Sequence, residues 1–311
     1  MDLPPELVER AARELNETSE SRLAGLAELH AYYAAHSEEQ PHRTDDPYLL
    51  MFLRHAKFDP VRARGRLAAV ERWLRDCADD IGDIDKIRGP MFKEMMDKEF
   101  FGRLSSDRRT RDGACMALLR LRNLEAPEPT ILLRWQVWVL KRAVHDPYVQ
   151  VGGMVMLQSL TGFSLMHSGH FRQVQKKVGQ KNFKFMGECV PFRVRGIYFV
   201  HQPSWWGLLF AVVKPFLSAK LKSRIRLFGG NLPALHELID PAYLPEELGG
   251  SHPDTGRTWY QQQCALEAAE EAAGGAGAEA QLDGDAGAEP TASGEARAAA
   301  AAEQASEAAA P

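Results

Sequence analysis

The sequence is poor in cysteine and has no long apolar run. Its four cysteines are scattered and form no CxxC pair, which argues against a structural zinc site and against a disulfide framework. No apolar stretch reaches the roughly 20 residues that a transmembrane helix needs. The first residues lack a cationic segment followed by an apolar one, so we expect no signal peptide. These absences are typical of a soluble protein in a reducing cytosol.

Acidic residues are missing from one long stretch of the chain. None occurs between Glu188 and Glu237, and between Asp146 and Glu237 there are twelve Lys and Arg against one acid. The net charge of −4 hides this, because the segment from Glu267 onward holds ten acids and one base. The rest of the chain therefore carries a net charge of +5. A one-sided positive field favours anionic partners, with membrane headgroups and nucleic acid as the candidates.

Apolar periodicity divides the chain into a helical part and an α/β part. Spacings of three and four residues predict helices over residues 1–104, which we interpret as an N-terminal helical domain. Over residues 105–253, buried apolar runs alternate with helices, which predicts an α/β domain with a largely parallel sheet. Residues 254–311 form an extension rich in Ala, Glu and Gly, and from about residue 267 we expect disorder. The predicted strands are Ala114–Leu121, Gly152–Leu160, Val194–His201 and Arg224–Phe228.

The stretch His201–Arg226 begins as an apolar helix and ends as a cationic one. Nearly every residue from Trp205 to Val213 is apolar. The turns that follow carry Lys214, Lys220, Lys222, Arg224 and Arg226. This pattern suits a helix that covers an apolar cavity and touches an anionic membrane. A buried core helix with a solvated basic end would have the same pattern, and the residues alone leave both interpretations open.

Four motifs occur in order along the chain. They are FLRHAKFD at Phe52–Asp59, GGMVMLQSLTGFSLMH at Gly152–His167, PFRVRGIYFVHQP at Pro191–Pro203, and KPFLSAKLKSRIRLFGGN with LPEELGG at Lys214–Asn231 and Leu244–Gly250. From about Asp46 to Pro253 they resemble the CRAL-TRIO family of lipid-binding proteins. The resemblance implies a CRAL-TRIO lipid-binding domain, preceded by the family's helical N-terminal domain from about residue 46. It also implies a pocket under the sheet, closed by a mobile lid helix at about Pro203–Ser223.

The resemblance further implies a phosphoinositide site beside the lid. Residues that bind phosphoinositide phosphates in the family's tocopherol-binding member correspond here to Arg193, Lys220 and Arg224, with Arg195 close by. Arginine can hold a phosphate through two parallel hydrogen bonds, whereas lysine acts as a point charge. A further family arginine, in the FLRAR motif, is replaced here by Ala56.

The resemblance also implies residues for the lid and for the pocket. Trp205, Trp206 and Phe210 would form the membrane-facing side of the lid. The residues expected to line the pocket are Leu133, Gln136, Val137, Leu140, Met154, Met156, Ile197, Phe199, Leu209, Val213 and Leu217. Each of these residues would equally suit a plain core. Gln136 and Leu140 stand where serines surround tocopherol in that family member, so the ligand need not be tocopherol.

We therefore expect a carrier that binds a hydrophobic lipid, of the tocopherol, retinoid or phospholipid type, and transfers it at phosphoinositide-containing membranes. The alternative is a phosphoinositide-recruited scaffold or trafficking adaptor with a vestigial pocket. His167 and His170 lack a third metal ligand, and neither a GxSxG nor a Walker pattern is present, so we expect no metal, cofactor or enzymatic activity. Trp205 and Trp206 are not interleaved with basic residues, which disfavours nucleic acid. We expect a cytoplasmic monomer, peripherally associated with endosomal or Golgi membranes.

Overall fold

The chain before the sheet is helical. The computed structural model describes residues 3–124, 128–216, 219–253 and 256–282. The helices that begin at Asp46 and Pro60 are capped, because Asp45 and Asp59 accept hydrogen bonds from the N–H groups of Tyr48 and Arg62. The helices of this part are α1 (Pro5–Leu15), α2 (Ser19–Ala35), α3 (Asp46–Ala56), α4 (Pro60–Asp76), α5 (Ala78–Ile81) and α6 (Lys93–Asp97).

A five-stranded sheet follows, with its strands side by side in chain order. The strands are β1 (Phe101–Arg103), β2 (Cys115–Arg120), β3 (Met154–Ser159), β4 (Val194–Val200) and β5 (Ile225–Gly229). The edge strand β1 pairs with β2 in antiparallel fashion, and the other neighbours pair in parallel. The predicted α/β domain with a largely parallel sheet is confirmed. The short edge strand was not predicted.

Helices connect the parallel strands, as parallel pairing requires. They are α7 (Ile131–Ala143), α8 (Pro147–Gly152), α9 (Leu165–Lys184), α10 (Trp206–Val213) and α11 (Ala219–Lys222). Helices α12 (Leu232–His236) and α13 (Arg257–Leu282) follow β5. Helix α9 continues into a π-helical turn at Phe185–Cys189. The predicted lid corresponds to α10 and α11 with the residues between them, of which Leu217 and Ser218 lie outside the described ranges.

The sheet is buried on both faces, because successive residues of a strand point to opposite sides. In β2, Cys115 and Ala117 belong to the main apolar core, which also includes residues of α7 and α9. Their neighbours Met116 and Leu118 belong to a second cluster, with Leu235 of α12. The continuous apolar runs in the sequence therefore reflect burial from two sides.

The helical part and the sheet share the main core. Phe52 and Trp73 lie in the same cluster of buried residues as Trp138 and Phe199. The domain boundary predicted after residue 104 comes later in the chain than β1. Strand β1 already belongs to the sheet, because it pairs with β2. The helical part is therefore packed continuously against the α/β part.

The C-terminal extension contains a helix where disorder was expected. Helix α13 runs to Leu282, so the prediction of disorder from about residue 267 is wrong for residues 267–282. The buried Glu267 carboxylate accepts hydrogen bonds from the Gly89 N–H, at 2.6 Å, and from Trp138 Nε1, at 3.2 Å. Glu270 Oε2 lies 2.7 Å from Arg142 Nη1. Acidic residues that suggested a solvated tail thus anchor α13; residues 283–311 lie outside the described ranges.

Candidate functional site

An apolar cavity of about 280 Å³ lies between the sheet, α7, α9 and the lid helix α10. Aromatic side chains form much of its wall: Phe101, Trp135, Phe171, Phe185, Phe192 and Trp259. Trp259 comes from α13, so the C-terminal extension contributes to the wall. A concave site with mostly apolar and aromatic lining is typical of binding sites for hydrophobic small molecules.

Five predicted pocket residues line this cavity: Gln136, Met154, Met156, Ile197 and Phe199. The side chains of Leu209 and Val213, and the whole of Leu217, lie outside the described part of the chain.

Three predicted pocket residues in α7 face elsewhere. Leu133 is fully buried in the main core, and Val137 and Leu140 border a small separate cleft on the side of α3. The cavity is instead lined by the other face of the helix, with Leu132, Trp135, Gln136, Val139 and Ala143. Both faces of α7 are apolar, so helical periodicity could not tell which one borders the cavity.

The lid helix turns Trp206 inward. Only 4% of this residue is exposed, and its ring lies 5.5 Å from the Phe199 ring and 6.2 Å from the Phe171 ring, measured between centroids. The prediction that Trp206 faces the membrane is therefore wrong for this arrangement, because the indole closes the space between α9 and β4. Phe210 also lines the cavity, and Trp205 is half-buried against Phe163.

A different apolar residue of the lid is exposed to solvent. Leu208 is 78% exposed, and the neighbouring Gly207 and Ala211 are also exposed. The sequence offered no way to choose between Leu208 and Trp206, because α10 is apolar on every side. Burial of the larger ring decides the orientation.

Polar groups interrupt the apolar wall. Gln136 donates to Asn182 Oδ1, and the buried Arg103 forms an ion pair with Asp146. Among the described residues, Gln136 Oε1, Gln175 Oε1 and Trp206 Nε1 are buried without a hydrogen-bond partner. Buried polar atoms without partners are costly, so a ligand that bonds to any of them gains affinity.

Arginines from two distant parts of the chain converge on one carboxylate at the amino-terminal end of β4. Glu14 Oε1 lies 3.0 Å from Arg10 Nε, and Glu14 Oε2 lies 2.9 Å from Arg193 Nη1 and 3.6 Å from Arg195 Nη1. We call Arg10, Arg193 and Arg195 the arginine cluster. Burial opposes ionisation of Glu14, but the hydrogen bond from Arg193 and the nearby positive charges outweigh it and lower the pKa of the carboxyl group.

Two glycines let the arginine cluster approach the backbone. A Cβ on Gly113 would lie 2.3 Å from Arg10 Nη1, and one on Gly153 would lie 2.5 Å from the Arg193 carbonyl oxygen. Both glycines have positive φ angles of 77°, which side chains disfavour. Gly113 therefore leaves room for the Arg10 guanidinium group, and Gly153 lets the backbone before β3 approach the backbone at Arg193.

The structure brings most of the predicted phosphoinositide residues together at the amino-terminal end of β4. Arg193 and Arg195 belong to the arginine cluster, and Arg224 donates to the Val194 carbonyl oxygen nearby. The side chain of Lys220 lies outside the described residues. Reasoning from the sequence missed Arg10, whose only local signal is its four-residue spacing from Glu14.

Other motif residues contact each other at the opposite end of the sheet, where the parallel strands have their carboxyl ends. Glu247 of LPEELGG pairs with Arg120 at the end of β2 and accepts a hydrogen bond from the Ser159 hydroxyl at 3.1 Å. His201 Nε2 contacts the Glu247 carbonyl oxygen at 2.8 Å. These residues fix the closing segment of the domain onto the carboxyl ends of the strands.

Two further properties concern only the parts of the chain that the structure describes. Within them, no helix combines the length and apolar character needed to cross a bilayer. The same residues contain no group of three or more His, Cys, Asp or Glu side chains placed to hold a metal ion. His167 has a structural contact, since its Nδ1 lies 3.1 Å from the Ser164 N–H at the start of α9.

Comparison with known proteins agrees with this architecture. Residues 103–250 match the CRAL/TRIO domain. Clavesin-2 of Homo sapiens is 30% identical over 261 residues, which cover 83% of this chain and 78% of that protein. Clavesin-1 of Mus musculus is 31% identical over 261 residues, which cover 83% of this chain and 72% of that protein.

A solved structure shows the same fold. The crystal structure of Sfh5 superposes with a TM-score of 0.52 at 12% identity, covering 78% of this chain and 92% of that one. The chain belongs to the CRAL/TRIO family of lipid-binding domains. The family resemblance of the sequence motifs is thereby confirmed.

Proposed function

We propose that the protein binds one hydrophobic lipid in its cavity and transfers it at phosphoinositide-containing membranes. The observation that carries this proposal is the 280 Å³ apolar cavity, which is roofed by a helix apolar on every side. An empty apolar space loses dispersion contacts along its whole lining, so occupation by a lipid is favourable. We further propose that the protein acts without catalysing a reaction.

The cavity supports a ligand that is apolar over most of its length and carries few polar groups. A tocopherol-like, retinoid-like or phospholipid-like molecule has this character. The apolar part would lie against the aromatic wall, and a polar group would bond to Gln136 or Gln175, each of which has a buried oxygen without a partner among the described residues. The aromatic lining favours flat or ring-containing lipids.

The lid supports a membrane role because it joins an apolar surface to a basic one. Leu208 is exposed on α10, and the exposed Lys214 and Lys222 follow along the lid. The chain then returns to Arg224, which donates a hydrogen bond to the carbonyl oxygen of Val194, the residue after Arg193. Each basic residue near an anionic leaflet contributes about 1 kcal/mol of attraction, and a membrane that binds an open lid more tightly than a closed one would shift the protein toward lipid exchange.

We propose that the protein works as a cytoplasmic monomer that associates peripherally with endosomal or Golgi membranes. The experiment is transfer of a fluorescent lipid between vesicles, with and without phosphatidylinositol phosphates in the acceptor. Faster transfer to phosphoinositide vesicles supports the proposal. Equal membrane recruitment with no transfer would favour the alternative, a scaffold or trafficking adaptor with a vestigial pocket.

A further inference from the structure

The Glu14 carboxylate occupies the position that an external anion would take in the arginine cluster. Its two oxygens face three guanidinium groups at 2.9–3.6 Å. Such a set of donors around one acceptor group is the arrangement that holds phosphate oxygens in proteins. The three arginines carry +3, whereas Glu14 and the neighbouring Asp112 supply only −2, so the cluster keeps an excess of positive charge.

The arginines are held by groups other than Glu14. Arg10 donates to the carbonyl oxygens of Gly113, at 2.8 Å, and Asp112, at 2.9 Å. Arg193 also donates to the Val151 carbonyl oxygen, and Arg195 Nη2 lies 2.8 Å from Asp112 Oδ2. The guanidinium groups would therefore keep their positions if the glutamate moved away. A preorganised set of donors binds a ligand at low conformational cost.

To leave the cluster, Glu14 would need only a change of side-chain rotamer. About 24% of its side chain is exposed, and it is not among the residues that α1 buries. The helix itself stays fixed, because Leu7, Ala11 and Leu15 pack on Val151. Exchange of the carboxylate for another anion thus requires no rearrangement of the backbone.

We propose that the arginine cluster is a phosphate-binding site whose resting counter-ion is Glu14, and that a phosphomonoester displaces this carboxylate. The proposal rests on the function proposed above and adds its regulation. A phosphomonoester brings nearly two negative charges and three acceptor oxygens, more than one carboxylate offers. A phosphodiester brings a single charge. Glu14 therefore selects for inositol lipids with monoester phosphates over the common phospholipids.

The test measures binding to phosphatidylcholine vesicles that contain phosphatidylinositol bisphosphate. Glu14→Gln removes the internal counter-ion and should tighten binding roughly threefold to tenfold, the range that one partly buried charge pair supports. Arg10→Gln should weaken binding by a similar factor. The matched control is Glu9→Gln, which makes the same charge change on the same helix at a side chain that is 90% exposed and paired only with Arg13 in the described structure.

Equal effects of Glu14→Gln and Glu9→Gln, or weaker binding of Glu14→Gln, would overturn the counter-ion role. If Arg193→Gln still weakened vesicle binding in that case, the proposed function would survive. If neither Arg193→Gln nor removal of the phosphoinositide changed binding, the proposed membrane function itself would fail. The two failures are thus distinguishable.

A second measurement needs no variant and also separates the possible sources of the phosphate. Carboxyl NMR of Glu14 should show a pKa that rises toward the ordinary value when the phosphate ligand takes its place. A rise with a soluble inositol trisphosphate but not with vesicles would assign the site to free inositol phosphates. A rise with vesicles assigns it to the lipid headgroup, and no change with either ligand would contradict displacement.

Discussion

Trp206 in the lid and Phe199 in β4 both line the cavity and contact each other, with ring centroids 5.5 Å apart. This contact joins the roof of the cavity to its floor. It also shows that the lid uses its largest side chain to close the interior, which leaves Leu208 as the exposed apolar residue on the outside. The membrane contact of the lid must therefore be sought at Leu208.

Replacement of Leu208 by Asp should weaken association with anionic vesicles by roughly tenfold or more, because an inserted leucine is worth about 1.5–3 kcal/mol. Thermal stability and lipid occupancy should stay unchanged, since the side chain makes little contact with the core. Sedimentation with vesicles measures the effect. The control is Val61→Asp, at a residue that is 64% exposed on α4. An equal loss in both variants would indicate a general charge effect.

Filling the cavity should exclude the ligand without unfolding the protein. Met156→Trp places a larger side chain into the existing space, so we expect at least a halved lipid content with little change in melting temperature. Met116→Trp makes the same change on the opposite face of the sheet, where the core is closely packed, and should cost about 1–3 kcal/mol. Full lipid content in the Met156 variant would place the ligand elsewhere.

The contacts of α13 predict a measurable contribution to stability. Glu267→Ala leaves the Gly89 N–H and Trp138 Nε1 without their acceptor, and each buried donor left unpaired costs about 1–3 kcal/mol. Glu271→Ala removes an exposed ion pair with Arg88 and should cost less than about 1 kcal/mol. Urea unfolding compares the two. Similar free energies of unfolding for both variants would mean that α13 is not docked through Glu267.

The lowered pKa of Glu14 predicts a pH dependence of stability. A carboxyl group with a lowered pKa in the folded state stabilises the protein above its unfolded pKa, near 4.5, and this contribution is lost as the pH falls through the folded value. The wild type should therefore lose more stability than Glu14→Gln between about pH 5 and pH 3. Urea midpoints across this range measure the difference, and parallel curves would show that Glu14 is not paired in solution.

The sequence predicts the elements of the domain that have strong local signals. Long apolar runs identified β2, β3 and β4, and the order of the motifs identified the family. The three-residue strand β1 lacks such a signal, since its pairing with β2 depends on contacts formed only in the folded chain. Composition likewise predicted disorder from about residue 267, where the structure has a helix. It could not show that Glu267 and Glu270 have partners more than 100 residues away in the chain.

The site could be predicted only in part for a related reason. Helix α7 is apolar on two faces, so periodicity could not separate the cavity residue Gln136 from the core residue Leu133. The arginine cluster joins Arg10 to Arg193, which are far apart in the sequence and adjacent only after folding. Side-chain size and long-range charge pairing decided these positions, and neither is a local property of the chain.

The most direct test of the proposed function is native mass spectrometry of the protein purified from cells, followed by extraction of whatever it carries. We predict one lipid per chain, apolar over most of its length, and we predict that it is lost in Met156→Trp while the fold is kept. A wild-type protein that leaves the cell with an empty cavity, and stays empty when incubated with membranes, would contradict the proposal that it is a lipid carrier.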